Sequence, residues 1–296
     1  MSQKRGFKEV FIDEAPLPAM DDVPPLEPGD RLTRGEFERR YEAMPELKKA
    51  ELIEGIVYMD SQLPVSALET INGVPPLENG DHLTRDEFER RYDAMPNLKK
   101  AELIEGIVYL GSPVRHKSHG KPHSTIATLL TTYSLSTPGT DFSDNATTRL
   151  DLANDPQPDC FLRIEEEYGG QSSVNQKDYL EGAPELIVEV ASSSAARDLH
   201  AKKRVYRRHG VREYIVWRPR DRAIDWFELN RGRYVRVKPD DDGIIESKVF
   251  PGLRLAVNAL SKGNYAAALR ELQTGLASAE HKAFVASLAK RKKKRG

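Results

Sequence analysis

Residues 185–218, ELIVEVASSSAARDLHAKKRVYRRHGVREYIVWR, decide the fold class. The opening ELIVEV is a short, largely apolar run rich in β-branched residues, which reads as a buried strand. Ser192, Ser193 and Ser194 are N-cap candidates, and the stretch from Ala195 to about His209 reads as a strongly basic helix closed by Gly210. VREYIVW is the next strand. RAIDWFEL (222–229) and GRYVRVK (232–238) follow after Arg-Pro-Arg-Asp and Asn-Arg-Gly turns, so the sheet ends in an antiparallel meander. Strands interleaved with helices give an α/β class, with a mixed central sheet flanked by helices.

Upstream, residues 147–152 alternate and residues 158–164 form a short apolar run, two further strand candidates. From His123 to about Leu135, Ile126, Leu129, Leu130 and Tyr133 recur at helical spacing until Pro138-Gly139 stops them. Residues 23–59 return at 74–110 with an offset of 51, and two copies are too few for a solenoid. Each copy has a capping-box pattern, Thr33 with Glu36 and Thr84 with Glu87, then a helix stopped by Pro45 or Pro96, then a hairpin around Glu-Gly. Only the second copy leads into the rest of the sheet. The expected organisation is an N-terminal extension at 1–73 that contains the first copy, a core domain at 74–260 and a helical basic tail at 261–296. Residues 1–22 and 60–73 read as linkers, and the last six basic residues, 290–295, as a frayed end.

A chain of 296 residues can bury a real core. Lys+Arg 45 against Asp+Glu 46 speaks neither for nor against a polyanionic partner, so any charge argument must be local. No run approaches the roughly 18 apolar residues of a membrane span, and the start lacks the apolar stretch of a secretory signal, so a cytoplasmic protein without a membrane partner is expected. Cys160 is the lone cysteine, which excludes an internal disulfide and a four-cysteine zinc site.

Two carboxylates stand out because ionised groups inside a sheet are costly unless a metal or hydrogen bonds compensate them: Asp159 after Pro158, and Glu189 within ELIVEV. Strand alternation puts Ile187 and Glu189 on one face and Leu186, Val188 and Val190 on the other. The blander alternative is an Asp in a turn and a Glu on a solvated face. Between Arg197 and Arg212 seven bases meet one acid, Asp198, a local charge of +6 that would attract a phosphate backbone, Arg197, Lys203, Arg204, Arg207 and Arg208 included. Asp198, Lys202 and Tyr206 at i, i+4 and i+8 make one helical stripe that could turn toward the acids. His116, His119 and His123 could suggest zinc, but Gly120 and Pro122 interrupt a helix between them, and His123 reads better as the start of a helix that faces the site. The serine run has no nucleophile elbow, and Cys160 reads as a core side chain.

Taken in order, AELIEG, SPVRHKSHGKPH, QPD, PELIVEV and RDLHAKKRVYRRHGVREYIVW resemble the Uma family of restriction endonuclease-like proteins in the PD-(D/E)xK nuclease superfamily, over about 101–220. The resemblance implies a restriction endonuclease-like core and a catalytic Asp159, Glu189 and Lys202, with Glu102 as an upstream acid. The superfamily's usual lysine, two residues after the second acid, is Ala191 here; the Uma pattern supplies Lys202 from the helix, with Asp198 one turn before it. It further implies Mg²⁺ or Mn²⁺ held by Asp159, Glu189, Glu102 and the backbone carbonyl near Val190, and DNA as the partner. The alternatives are a module of the same fold that binds nucleic acid without cutting it, and a protein-interaction module in which the first copy forms a homodimer by swapping.

Overall fold

The computed structural model describes residues 23–27, 29–44, 47, 50–53, 55–59, 71, 74–111, 115–191 and 197–295. The linkers expected at 1–22 and 60–73, apart from residue 71, and the serine cap at 192–194 lie outside the described residues. The elements are α1 (Arg34–Glu42), β1 (Ala50–Ile53), β2 (Ile56–Met59), α2 (Arg85–Asp93), β3 (Ala101–Ile104), β4 (Ile107–Leu110), α3 (Lys121–Leu135), β5 (Thr140–Asp144), β6 (Thr148–Arg149), β7 (Cys160–Ile164), β8 (Ser173–Val174), β9 (Leu180–Glu181), β10 (Leu186–Val190), α4 (Lys203–Arg208), β11 (Glu213–Arg218), β12 (Ala223–Asn230), β13 (Arg233–Val237), β14 (Ile245–Glu246), β15 (Arg254–Leu255), α5 (Val257–Ser261), α6 (Tyr265–Leu276) and α7 (Ala279–Arg295). The main sheet runs β13-β12-β11-β10-β7-β5. β10 and β11 are parallel and the other neighbours antiparallel, so the sheet is mixed and ends in the expected meander.

Both faces of this sheet are covered. Cys160, Leu162, Leu186, Val188, Val190, Ile215 and Trp226 pack against α3, α5, α6 and α7, which contribute Leu130, Tyr133, Leu260, Leu272 and Leu288. The opposite face carries Phe161, Ile187, Tyr214 and Val216 under Val205 and Tyr206 of α4 and Ile104 and Ile107 of the β3–β4 hairpin. Period-two alternation therefore feeds two cores, each large side chain contributing roughly 1.5–3 kcal/mol on burial. Glu189 falls on the second face at 2% exposure, which corrects the picture of a solvated acid.

Other expectations shift locally. The strand expected at 147–152 shortens to β6, in a separate three-stranded sheet, because the Asp151 carboxylate accepts from Ala153 N (2.8 Å) and Asn154 Nδ2 (2.7 Å) and closes a turn. The basic end is helical through Arg295. At the N-termini of α1 and α2, Thr33 and Thr84 accept from Glu36 N and Glu87 N, while the glutamate carboxylates turn to Arg39 and Arg40, and to Arg90 and Arg91. The β3–β4 turn has Glu105 at φ 53° and Gly106 at φ 75°, the backbone of a type I′ turn, and Asn154 Oδ1 accepts from Glu105 N at 2.8 Å. No helix among the described residues is long and apolar enough to cross a membrane.

Glu213, buried at the start of β11, accepts from Ser247 Oγ (2.5 Å) and Lys248 N (2.9 Å), and burial pushes its carboxyl up from 4.5 to about 7. The folded chain holds this proton longer than the unfolded one, so Glu213 contributes stability below pH 4.5 that is lost as pH rises through about 7. Urea unfolding of Glu213→Gln against the parent at stepped pH is expected to remove a downward slope of up to about 1.4 kcal/mol per pH unit in that window. A slope unchanged by the substitution would rule Glu213 out as its source.

Candidate active site

Three separate elements meet at the end of β10. Lys202 ends a π-helical turn, Asp198–Lys202, that runs directly into α4. Its Nζ lies 2.7 Å from Glu102 Oε1 on β3, 3.0 Å from Glu189 Oε1 on β10 and 3.9 Å from Asp198 Oδ1. All four side chains are at most 4% exposed. Glu189 Oε1 also accepts from Tyr206 Oη at 2.9 Å, and Glu189 Oε2 faces Asp159 N at 3.5 Å. Glu102 Oε1 further accepts from Gln157 N at 2.9 Å, which ties β3 to the segment before Asp159.

Burial and charge set the protonation pattern. Desolvation pushes the Glu102 carboxyl up, but Lys202, Lys100 and Arg197 outweigh it and hold the group near 2. For Glu189, burial outweighs Lys202, and Asp198, Asp159 and Glu102 add repulsion, so its carboxyl rises to about 8. Burial lowers the Lys202 ammonium, yet the three acids around it hold it above its ordinary 10.5. Tyr206 is pushed well above 10 by burial and by Glu189.

Asp159, just before β7, is fixed from both sides. Its Oδ2 accepts from Val190 N at 2.8 Å, and its Oδ1 has Lys100 Nζ at 3.5 Å and His119 Nε2 at 3.7 Å. The α3 helix begins earlier than expected: His116–Gly120 forms a π-helical turn continuous with it, and Pro122 lies in the first turn of α3 just after it. That continuity stacks the His119 and His123 rings, centroids 5.8 Å apart at 9°. His119 Nδ1 donates to Val190 O at 2.8 Å and His123 Nε2 donates to Asp159 O at 3.0 Å, so the pair ties together the two strands that carry the acids. Lys100 is a site residue that the sequence pattern does not single out, and His119, read there only as a zinc candidate, holds the Val190 carbonyl. Lys100 stands two residues before Glu102, on the same side of an extended chain, and that spacing is the available signal.

The structure brings Asp159, Glu189, Lys202, Glu102, Asp198, Tyr206 and Val190 together, with His123 beside them. It disperses the basic residues. Arg197 lies over the Tyr109 ring at 4.9 Å, Lys203 Nζ over the Phe227 ring at 3.3 Å, Arg204 and Arg208 pair with Glu105 at 2.8 and 3.3 Å, and Arg207 donates to Gly232 O at 2.8 Å. Among the described residues no three His, Cys, Asp or Glu side chains stand together as a ready metal site, the set Asp159, Glu189 and Glu102 included. Cys160 is buried, and burial pushes its thiol far up, so it is an inert core residue.

The donor set suits a hard divalent ion. Asp159 Oδ1 and Glu189 Oε2 make only long contacts, 3.5 Å or more, and are carboxylate oxygens. With Glu189 raised to about 8 and so mostly protonated at neutral pH, Asp159, Glu102 and Asp198 balance Lys202, Lys100 and Arg197, and a bound cation would take the place of the Glu189 proton. Mg²⁺ and Mn²⁺ are bound through one or two carboxylates while keeping several waters.

Residues 85–258 match the family model Uma2, described as "Putative restriction endonuclease". Among solved structures, a "putative nuclease belonging to DUF820" from Anabaena variabilis ATCC 29413 aligns over 66% of this chain and 99% of its own, at 13% identity and a TM-score of 0.45. No curated protein matches the chain.

Proposed function

The chain belongs to the Uma2 family, and from that premise we propose that it is a metal-dependent endonuclease that hydrolyses DNA phosphodiester bonds at Asp159, Glu189 and Lys202. One observation carries this reading: Lys202, from a helix, lies 3.0 Å from Glu189 and 2.7 Å from Glu102, both from strands, replacing the lysine that Ala191 cannot supply. Asp159, Glu189 and the Val190 carbonyl would hold Mg²⁺ or Mn²⁺, with Glu102 behind them. Such an ion supplies Lewis-acid stabilisation of charge growing on the phosphoryl oxygens and activation of the attacking water. The protein's own part is orientation. Lys202 and Tyr206 both bond Glu189 Oε1, which leaves Oε2 on the Asp159 side. Val190 N holds Asp159 Oδ2, which leaves Oδ1 toward Lys100 and His119. Lys202 remains charged at neutral pH and acts as a fixed positive charge, not as a base. Lys100, 29% exposed, is the cation that an approaching phosphate would meet.

Purified protein incubated with plasmid and oligonucleotides is expected to cut in Mg²⁺ or Mn²⁺ and to stop in EDTA, and Asp159→Asn is expected to lose about 10²-fold or more in rate. Cleavage in EDTA, or an undiminished Asp159→Asn, would remove the metal reading. Binding without cleavage in every metal would favour a module that holds nucleic acid without cutting it.

A further inference from the structure

The two copies of the repeat are wired alike. Asp30 Oδ2 accepts from Glu27 N (3.2 Å) and Arg40 Nη1 (3.3 Å); 51 residues later Asp81 Oδ2 accepts from Glu78 N (3.1 Å) and Arg91 Nη1 (3.3 Å). Both turns are pinned to their hairpins by the same backbone bonds, Val57 N to Asp30 O and Val108 N to Asp81 O. Yet the Asp81 side chain is 28% exposed and that of Asp30 is 0%. Because the local structure is equal, the difference measures what the first copy docks against.

It docks on the edge of the candidate active site. Gly29 lies so close to Tyr109 that a Cβ there would stand 2.6 Å from the ring, and Ile56 is buried with Ile104, Ile107 and Tyr109. The Tyr109 ring carries Arg197 at 4.9 Å, the residue before Asp198. Arg197 is within electrostatic reach of the site's own acids, Glu102 and Asp198, and of two acids of the first copy, Glu27 and Asp30. Its buried Nε has no hydrogen-bond partner among the described residues, and neither has Asp30 Oδ1. A guanidinium stacked on an aromatic ring beside a phosphodiesterase centre is built to take a phosphate bidentately.

We propose that Arg197 on Tyr109 is a phosphate subsite for the nucleic-acid backbone, and that the first copy of the repeat is an internal anionic plug whose Glu27 and Asp30 occupy the approach to it. The plug rests on the nuclease reading above, since the phosphate it excludes belongs to that substrate.

The test uses the full chain. A fluorescein-labelled DNA duplex is titrated in EDTA at about pH 8.5, where Asp30, raised by burial to about 7, is ionised, with the parent, with Glu27→Gln/Asp30→Asn, with Gly29→Val, which wedges the first copy off Tyr109, and with Glu38→Gln/Glu42→Gln, an equal charge change on the outer helix of the same copy. Hydrogen exchange at 26–32 and 104–110 reads whether the contact has opened. The first two variants are expected to lose protection there and to bind about tenfold tighter, the log affinity against log salt steepening by about 0.9, one phosphate contact. The charge control is expected to stay within about twofold, and adding Arg197→Gln to either released variant is expected to cancel the gain. Protection retained in both variants, affinity unchanged after release, or a gain that survives Arg197→Gln would each overturn the plug. Release without binding of any nucleic acid by any variant would instead overturn the nuclease reading and the plug with it.

Discussion

Lys202→Ala is expected to lower cleavage by about 10³-fold and the free energy of unfolding by about 3–5 kcal/mol together. The second effect follows from burial. Lys202 is 2% exposed and is the partner that Glu102, Glu189 and Asp198 share, so truncation leaves three carboxylates in a low-dielectric pocket without it. Denaturant titration beside a cleavage assay checks both. Adding Glu102→Gln to Lys202→Ala is expected to return part of the stability and none of the activity, because it removes one stranded charge without replacing the lysine. A Lys202→Ala protein as stable as the parent would mean that the acids do not depend on this ammonium.

Glu189→Gln is expected to lose a similar 10³-fold in cleavage and to move stability the other way, up by about 0.5–2 kcal/mol. The amide keeps an acceptor for Lys202 Nζ and Tyr206 Oη but cannot ionise, so it removes the carboxylate needed on the Asp159 side together with the cost of ionising a group that burial and the acids Asp198, Asp159 and Glu102 raise to about 8. Two substitutions with the same activity loss and opposite stability changes separate a damaged fold from a missing functional group. Equal destabilisation by both would show that Glu189 serves packing alone.

Much of the fold is legible in the chain. ELIVEV, VREYIVW and the meander mark strand positions because period two and turn residues are local signals, and the spacing of Asp198, Lys202 and Tyr206 points to a common stripe. Asp159 and Glu189 are conspicuous because acids beside apolar strand residues require compensation. The burial of Glu189 is not legible, since it depends on what the β3–β4 hairpin and α4 cover. The role of His119 is misread because Gly120 and Pro122 read as helix interruptions, whereas Gly120 ends a π-helical turn and Pro122 lies in the first turn of the helix that continues it. The basic run looks like one charged face, whereas its members point to Tyr109, Phe227, Glu105 and Gly232 in turn, partners fixed only by the tertiary fold.

The two π-helical turns, His116–Gly120 and Asp198–Lys202, make chain length a functional quantity at this site. Each carries one residue more than an α-helical turn would need, and removing one residue would turn the side chains on one side of the cut by about 100° relative to those on the other. Substitutions among 116–120 or 198–202 can be graded by chemistry, but an insertion or deletion there acts as a gear slip, turning every side chain before the cut against those after it. Surface loops tolerate changes of length; these ten residues form a stretch where evolution can change letters far more easily than it can change the count.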